Sequence, residues 1–186
     1  MNIHIVQHNI ATNNPEENLK WILDELDSPE SKSALLTVFP ACTVCGSPLF
    51  GSVTYTDIQK RAQAVLQELI AQSEHRAFLI GMPLQLQDRG LCNTIVFVQN
   101  CAIRAIVSKK YLSPDEQKYF VRGEGAVWYL YFTYEIFAFK ILFGSKADFT
   151  AFISSTFASG VSAKKKSLLL TPRPCSPEIR PPSFLA

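Results

Sequence analysis

A layered α/β domain is what this sequence predicts, and three observations carry the prediction. The first 81 residues alternate short apolar runs with amphipathic stretches in the order β-α-β-α-β. The second apolar run, Ala34 to Phe39, stops at Pro40 before a loop of small residues, Cys42 to Gly51. The chain has 186 residues, 47% of them apolar and 18% charged, which is enough for one domain with a full core and marginal for two.

The elements follow in order. Ile3, Ile5 and Val6 mark a first strand, apolar enough to be central. Asn14-Pro15-Glu16-Glu17 opens a helix, with Asn14 as cap, Pro15 in the first turn and Glu17 placed to complete a capping box. Leu19, Ile22, Leu23 and Leu26 then recur on one helical face. Ser28 to Ser33 reads as the loop into the second strand. Thr56-x-x-Gln59 reads as a second capping box, ahead of a stripe of Ile58, Ala62, Val65, Leu66, Leu69 and Ile70. Ala77 to Gly81 is a short buried strand.

Beyond Gly81 the pattern changes to hairpins. Asn93 to Val98 and Ala102 to Val107 are strands joined by Gln99-Asn100-Cys101. Lys109 to Glu124 is polar and reads as a loop with one helical turn. Val127 to Phe132 and Ile136 to Phe143 form a second hairpin, turning at Thr133-Tyr134-Glu135 without the Asn-Gly or Asp-Gly such turns favour. Phe149, Phe152, Ile153 and Phe157 fit one helix face, and Leu168 to Leu170 a last strand. Five of the eleven prolines fall in the final fifteen residues, so 172–186 is expected to be a poorly ordered tail.

Composition excludes several functions. The net charge is +2 and the basic residues are scattered, which gives no nucleic-acid footprint; Lys164-Lys165-Lys166 reads as a solvated turn. The longest apolar stretch, Ala126 to Gly144, is broken by Glu135 and Lys140, which argues against a membrane span. The five cysteines (42, 45, 92, 101, 175) form no regular framework and no secretory signal precedes them, so a reducing cytoplasm is expected.

A buried strand that stops at a proline puts its next residues at the mouth of the sheet, where open α/β sheets place their ligands. Position 41 is therefore where a catalytic group is expected. It is Ala41, which carries no chemistry.

Five short motifs give the chain a family likeness. Val38-Phe39-Pro40-Ala41 and the following Cys42 to Gly46 stand where one family has V-F-P-E, an apolar step and a glycine. Leu79-Ile80-Gly81-Met82-Pro83 resembles its L-V-G-x-P, and Cys92-Asn93-Thr94 its Y-N-S/T. Ser108-Lys109-Lys110-Tyr111-Leu112 resembles R-K-x-x-L, and Asp115 to Phe120 resembles D-E-x-R-Y-F. In order and together, these resemble the nitrilase (carbon–nitrogen hydrolase) superfamily, and more closely the glutamine-hydrolysing domain of glutamine-dependent NAD synthases. The likeness runs from residue 1 to about 144, and more loosely to about 180.

The resemblance implies a nitrilase-like four-layer α-β-β-α sandwich, here with its C-terminal part missing or irregular. It also implies a triad of Glu, Lys and Cys. The glutamate is the base, the lysine stabilises the oxyanion and the cysteine forms a thioester as ammonia leaves. Carried over residue by residue, the lysine is Lys109 and its supporting glutamate is Glu116. The base falls on Ala41, the nucleophile on Gly144 within Leu142-Phe143-Gly144-Ser145-Lys146, and the arginine of the lysine loop on Lys118. Losing a base costs about 10²- to 10⁴-fold, and losing a triad nucleophile on the order of 10⁶-fold. No amide hydrolysis is expected.

Replacement chemistry is weaker than the structural readings. Cys42-x-x-Cys45 lacks the further ligands of a closed zinc site and reads as small buried residues lining a turn. Ser145 has no identifiable base, and His4 and His8 read as structural. The expectations are an incomplete nitrilase-like domain over 1–171 with the tail 172–186, no cofactor and no metal. Open strand edges favour homo- or hetero-oligomers through the helices, up to a regulatory subunit pairing with an active amidase. A small amide such as glutamine is the substrate if ammonia supply persists.

Overall fold

The computed structural model describes residues 2–47, 49–87, 89–123, 127–132, 135–142 and 150–152. Its centre is a five-stranded mixed sheet, β1 (Ile3–Ile5), β2 (Leu36–Val38), β3 (Ala77–Leu86), β4 (Gly90–Gln99) and β5 (Ala102–Ser108), ordered as in the chain. Strands β1, β2 and β3 run parallel, with Ile3 opposite Leu36 and Val38 opposite Leu79. β3, β4 and β5 are antiparallel, with Ile80 opposite Val96 and Val96 opposite Ile106. A second sheet holds β6 (Val127–Phe132), β7 (Glu135–Leu142) and β8 (Thr150–Phe152), all antiparallel.

The helices α1 (Pro15–Leu26), α2 (Pro29–Ser33) and α3 (Thr56–Ala71) follow from local chemistry. Asn14 caps α1, its Oδ1 accepting from Glu17 N–H at 3.4 Å, and its amide donates to the Glu17 carboxylate at 2.6 Å. Arg61 reaches from α3 to Glu16 on α1, Nε to Oε1 at 2.7 Å. Ile22, Leu26, Ala62, Val65 and Leu69 of this helical pair are buried with Phe78, Ile80, Val96 and Val98 of the sheet in one core. Leu36, Val38, Leu79, Ile95 and Phe97 form a second buried cluster, so alternate residues of β3 and β4 serve two apolar clusters. A sheet with two apolar faces is the middle of a layered fold.

Several expectations are corrected. β1 lies at one end of the sheet, not at its centre, and Ile5 is 57% exposed. Ser28 to Ser33 is not all loop: Ser28 Oγ accepts from Ser31 N–H at 3.1 Å, with Pro29 at the first position of α2. The Thr56 capping box does not form, because α3 starts at Thr56 itself and Gln59 Nε2 instead donates to Val53 O at 3.0 Å. β3 does not stop at Gly81 but runs through Pro83 to Leu86. Strand β2 pairs with β3 only as far as Leu79, so at Pro83 no β2 residue needs an N–H donor. Thr150 to Phe152, read as part of a helix, pairs with Leu142 to Lys140 as a strand, where the β7 backbone supplies the hydrogen bonds a helix would make internally. The rest of that helix, Leu168 to Leu170 and the tail 172–186 lie outside the described residues. Both hairpins form as expected. Asn100 and Cys101, at φ 48 and 55, turn the first, and Phe132 pairs with Glu135 in the second. Among the described residues no helix is long and apolar enough to cross a membrane.

Candidate functional site

Two segments bring the candidate residues together. The first is the turn after β2. Phe39 N–H donates to Leu79 O at 2.9 Å and Val44 N–H to Gly81 O at 3.2 Å, which straps residues 39–44 along β3. The absence of a side chain at Gly81 permits this approach. A Cβ there would stand 2.6 Å from Pro40 O and Cys42 N, and 2.7 Å from Ala41 Cα. Cys42 takes φ 54, and its carbonyl accepts from Gly46 N–H at 2.7 Å.

A buried asparagine holds the turn from the other side. Asn18 of α1 accepts from Ala11 N–H at 2.9 Å and donates to Ala11 O at 2.8 Å and Val44 O at 3.0 Å. Trp21 Nε1–H also donates to Asn18 Oδ1, and its ring stacks against His8 at 4.4 Å. His4 pairs with Glu25 at 2.7 Å. Both histidines thus have structural partners, as expected.

The second segment follows β5. Lys109 N–H donates to Asn93 O and Gly123 N–H to Lys109 O, both at 2.8 Å. Lys109 Nζ donates to both carboxylate oxygens of Glu116, at 2.8 and 2.9 Å. Glu116 also accepts from Ser113 N–H at 2.8 Å and from Asn93 Nδ2 at 3.1 Å. In return Glu116 N–H donates to Ser113 Oγ at 3.3 Å, the reciprocal pattern of a capping box. Burial favours the neutral Glu116, but the Lys109 hydrogen bond, the Ser113 N–H, the Lys109 charge and Asn93 together outweigh it and hold the carboxyl below its ordinary range.

Asn93 joins the two segments. While its nitrogen faces Glu116, its Oδ1 lies 3.8 Å from Cys42 Sγ and accepts from the thiol. Burial, with the Glu116 charge adding and Lys109 opposing, pushes the Cys42 thiol up to about 11. Burial and the neighbouring Cys42 push Cys45 up to about 12. Both cysteines are buried and free in the turn, as the sequence reading expects of them.

The structure therefore brings Lys109 and Glu116 together and links them through Asn93 to the residue after Ala41. Ala41 itself is partly exposed in the turn. Gly144 and Ser145 lie outside the described residues. Lys118 pairs with Asp115 at 2.8 Å, away from Glu116. Sequence reasoning gave Asn93 and Ser113 no role. Ser113-Pro114-Asp115-Glu116 does carry the S-x-x-E signature with proline at its second position, whereas the Cys92-Asn93-Thr94 motif marks Asn93 without revealing its partners Glu116 and Cys42. A cavity of about 230 Å³ lined by Ser31, Lys32, Thr37, His75 and Arg76 does not include any of these residues.

No protein-family model matches the chain, and no curated protein does. Solved structures do. The glutamine-dependent NAD+ synthetase of Acinetobacter baumannii superposes with a TM-score of 0.66 at 18% identity, over 73% of this chain and 26% of that one. The synthetase of Cytophaga hutchinsonii gives 0.61 at 16% identity, over 73% and 24%. An amidase of Nesterenkonia sp. gives 0.61 at 20% identity, over 73% and 53%. That amidase belongs to the nitrilase superfamily, and one of its structures shows acrylamide added at the active-site cysteine. The chain thus spans about a quarter of the synthetases and about half of the amidase. At these identities the likeness is one of fold. A mixed α/β architecture with a buried five-stranded sheet, superposing on both kinds of protein, is a nitrilase-like fold.

Proposed function

We propose that this chain is a carbon–nitrogen hydrolase-like domain, akin to the ammonia-supplying part of glutamine-dependent NAD synthases, in which amide hydrolysis has been lost. One observation carries the reading. The lysine network Lys109–Glu116–Asn93 is complete, while the turn it adjoins presents Ala41 where a base is expected. Lys109 and Glu116 are read as the oxyanion-stabilising lysine and its supporting carboxylate. Ala41 and Gly144 are read as the positions of the lost base and nucleophile. A positioned cation steadies a tetrahedral oxyanion but generates no attacking group. Cys42 does not fill that gap, since a thiol held near 11 is ionised at pH 7 only to about one part in 10⁴.

Ammonia release from glutamine and from short aliphatic amides tests this directly. The chain is expected to release none above the buffer rate, the same as Lys109→Ala. Release that disappears in Lys109→Ala would overturn the reading.

A second reading is favoured by Tyr111 and Val121, 51% and 44% exposed on the segment that carries Glu116. Apolar side chains there suit a non-catalytic subunit that pairs with an active nitrilase-fold amidase or NAD synthase, either as a hetero-oligomer or beside a second copy of itself. Co-purification with a full-length NAD synthase supports it. A monomer by light scattering that retains no partner counts against it.

A further inference from the structure

Cys42 is the thiol tied to the retained lysine network, yet it sits as a hydrogen-bond donor. The reason lies one residue further along the network. Glu116 as a carboxylate has only acceptors, and it already takes Lys109 Nζ and Ser113 N–H. Whatever part of Asn93 faces Glu116 must donate, so the Asn93 amide nitrogen lies there, at 3.1 Å. The amide plane then leaves only its carbonyl oxygen for Cys42, at 3.8 Å. An oxygen acceptor welcomes an S–H and repels a thiolate.

Asn93 has no easy way out. It is 3% exposed on β4, and turning its amide over would set Oδ1 against the Glu116 carboxylate. Its backbone is held too, since its carbonyl accepts from Lys109 N–H at 2.8 Å. The charged groups acting on Cys42 are Glu116, which opposes ionisation, and Lys109, which favours it. Because Lys109 is bound to Glu116 through both carboxylate oxygens, its charge reaches the thiol partly cancelled.

We infer that Asn93 is a polarity lock: oriented by Glu116, it holds Cys42 as a protonated donor and keeps the turn's thiol out of service. The inference deepens the proposed function, on which it rests, by adding to burial a second cause for the inactivity of Cys42. It also names the control point. Removing the Glu116 charge, or the Asn93 amide, releases the thiol toward its ionised form.

The test is alkylation of the folded protein by iodoacetamide across pH 7 to 10, with each cysteine read separately by peptide mass spectrometry. Alkylation follows the thiolate fraction, so a fall of one pKa unit raises the rate about tenfold on the low-pH side. In Asn93→Ala and in Glu116→Gln, Cys42 is expected to react at least about tenfold faster than in the parent, with Cys45 unchanged. Cys45 lies in the same turn and is also buried, so it reports loosening of the turn. An unchanged Cys42 rate in both variants overturns the lock, and so does a parallel rise of Cys42 and Cys45. Ammonia release by the parent protein would refute the loss of hydrolysis without altering these alkylation rates, so the two failures are distinguishable.

Discussion

Substituting Gly81 by alanine should damage the turn that positions residue 41. The added methyl would lie 2.6 Å from Pro40 O and Cys42 N and 2.7 Å from Ala41 Cα. Ordinary contacts of this kind stand at about 3.5 Å, so the overlap is most of an ångström against three atoms at once. All three belong to the backbone, and no rotamer change relieves them. The turn must lift from β3, which weakens the hydrogen bonds from Phe39 N–H to Leu79 O and from Val44 N–H to Gly81 O. Overpacking costs about 1–3 kcal/mol, and a strained strap belongs at the upper end, about 3 kcal/mol. For a chain of this length that lowers Tm by about 6–12 °C. Urea denaturation followed by circular dichroism reads the loss. Gly51→Ala is the control, because its added methyl meets nothing closer than Tyr119 Cε1 at 3.9 Å. A Gly81→Ala loss below about 0.5 kcal/mol, no larger than the control, would refute the argument.

Two further outcomes follow from the same geometry. Asn18→Asp replaces a donor to Ala11 O and Val44 O with a buried carboxylate, and should cost about 3 kcal/mol or more by denaturant titration, more than Asn18→Ala. The depressed Glu116 carboxyl adds stability that is fully present above its ordinary value of 4.5 and is lost as pH falls through the lower folded value. In Lys109→Met, burial of Glu116 loses its main opposition. Stability at pH 7 should fall by about 1–3 kcal/mol, and the acid limb of the stability profile should move to higher pH. An acid limb unchanged from the parent would show that Glu116 is not coupled to Lys109.

Much of the fold was legible because it is local. Asn14-Pro15 begins α1 and the stripe from Ile58 to Leu69 buries as periodicity requires, since capping and amphipathicity are properties of a few neighbouring residues. Ser28-Pro29 and Ser113-Pro114-Asp115-Glu116 carry equally local signals that are easily passed over between stronger elements. What local pattern does not contain is partnership. Whether Pro83 sits in a strand depends on where β2 ends, and whether Ile3 and Ile5 lie centrally depends on what pairs beyond them. The same holds at the site. Lys109 and Glu116 are seven residues apart and their motifs adjoin, whereas Asn93, although its Cys92-Asn93-Thr94 motif is visible, acts across 51 residues from Cys42, a partnership no local pattern contains.

The strap over Gly81 also bears on how such a domain can change with time. The hydrogen bonds that fix the turn are made by backbone atoms, by Asn18, by Thr43 Oγ1 donating to Pro40 O and by Cys42 donating to Asn93, and none by the side chain of residue 41. The scaffold therefore pays no attention to what that side chain is. Selection for a folded, soluble chain gives no protection to a carboxylate there, and drift at that one codon is silent to stability. The reverse also holds: the bracket around residue 41 stands without any help from that side chain.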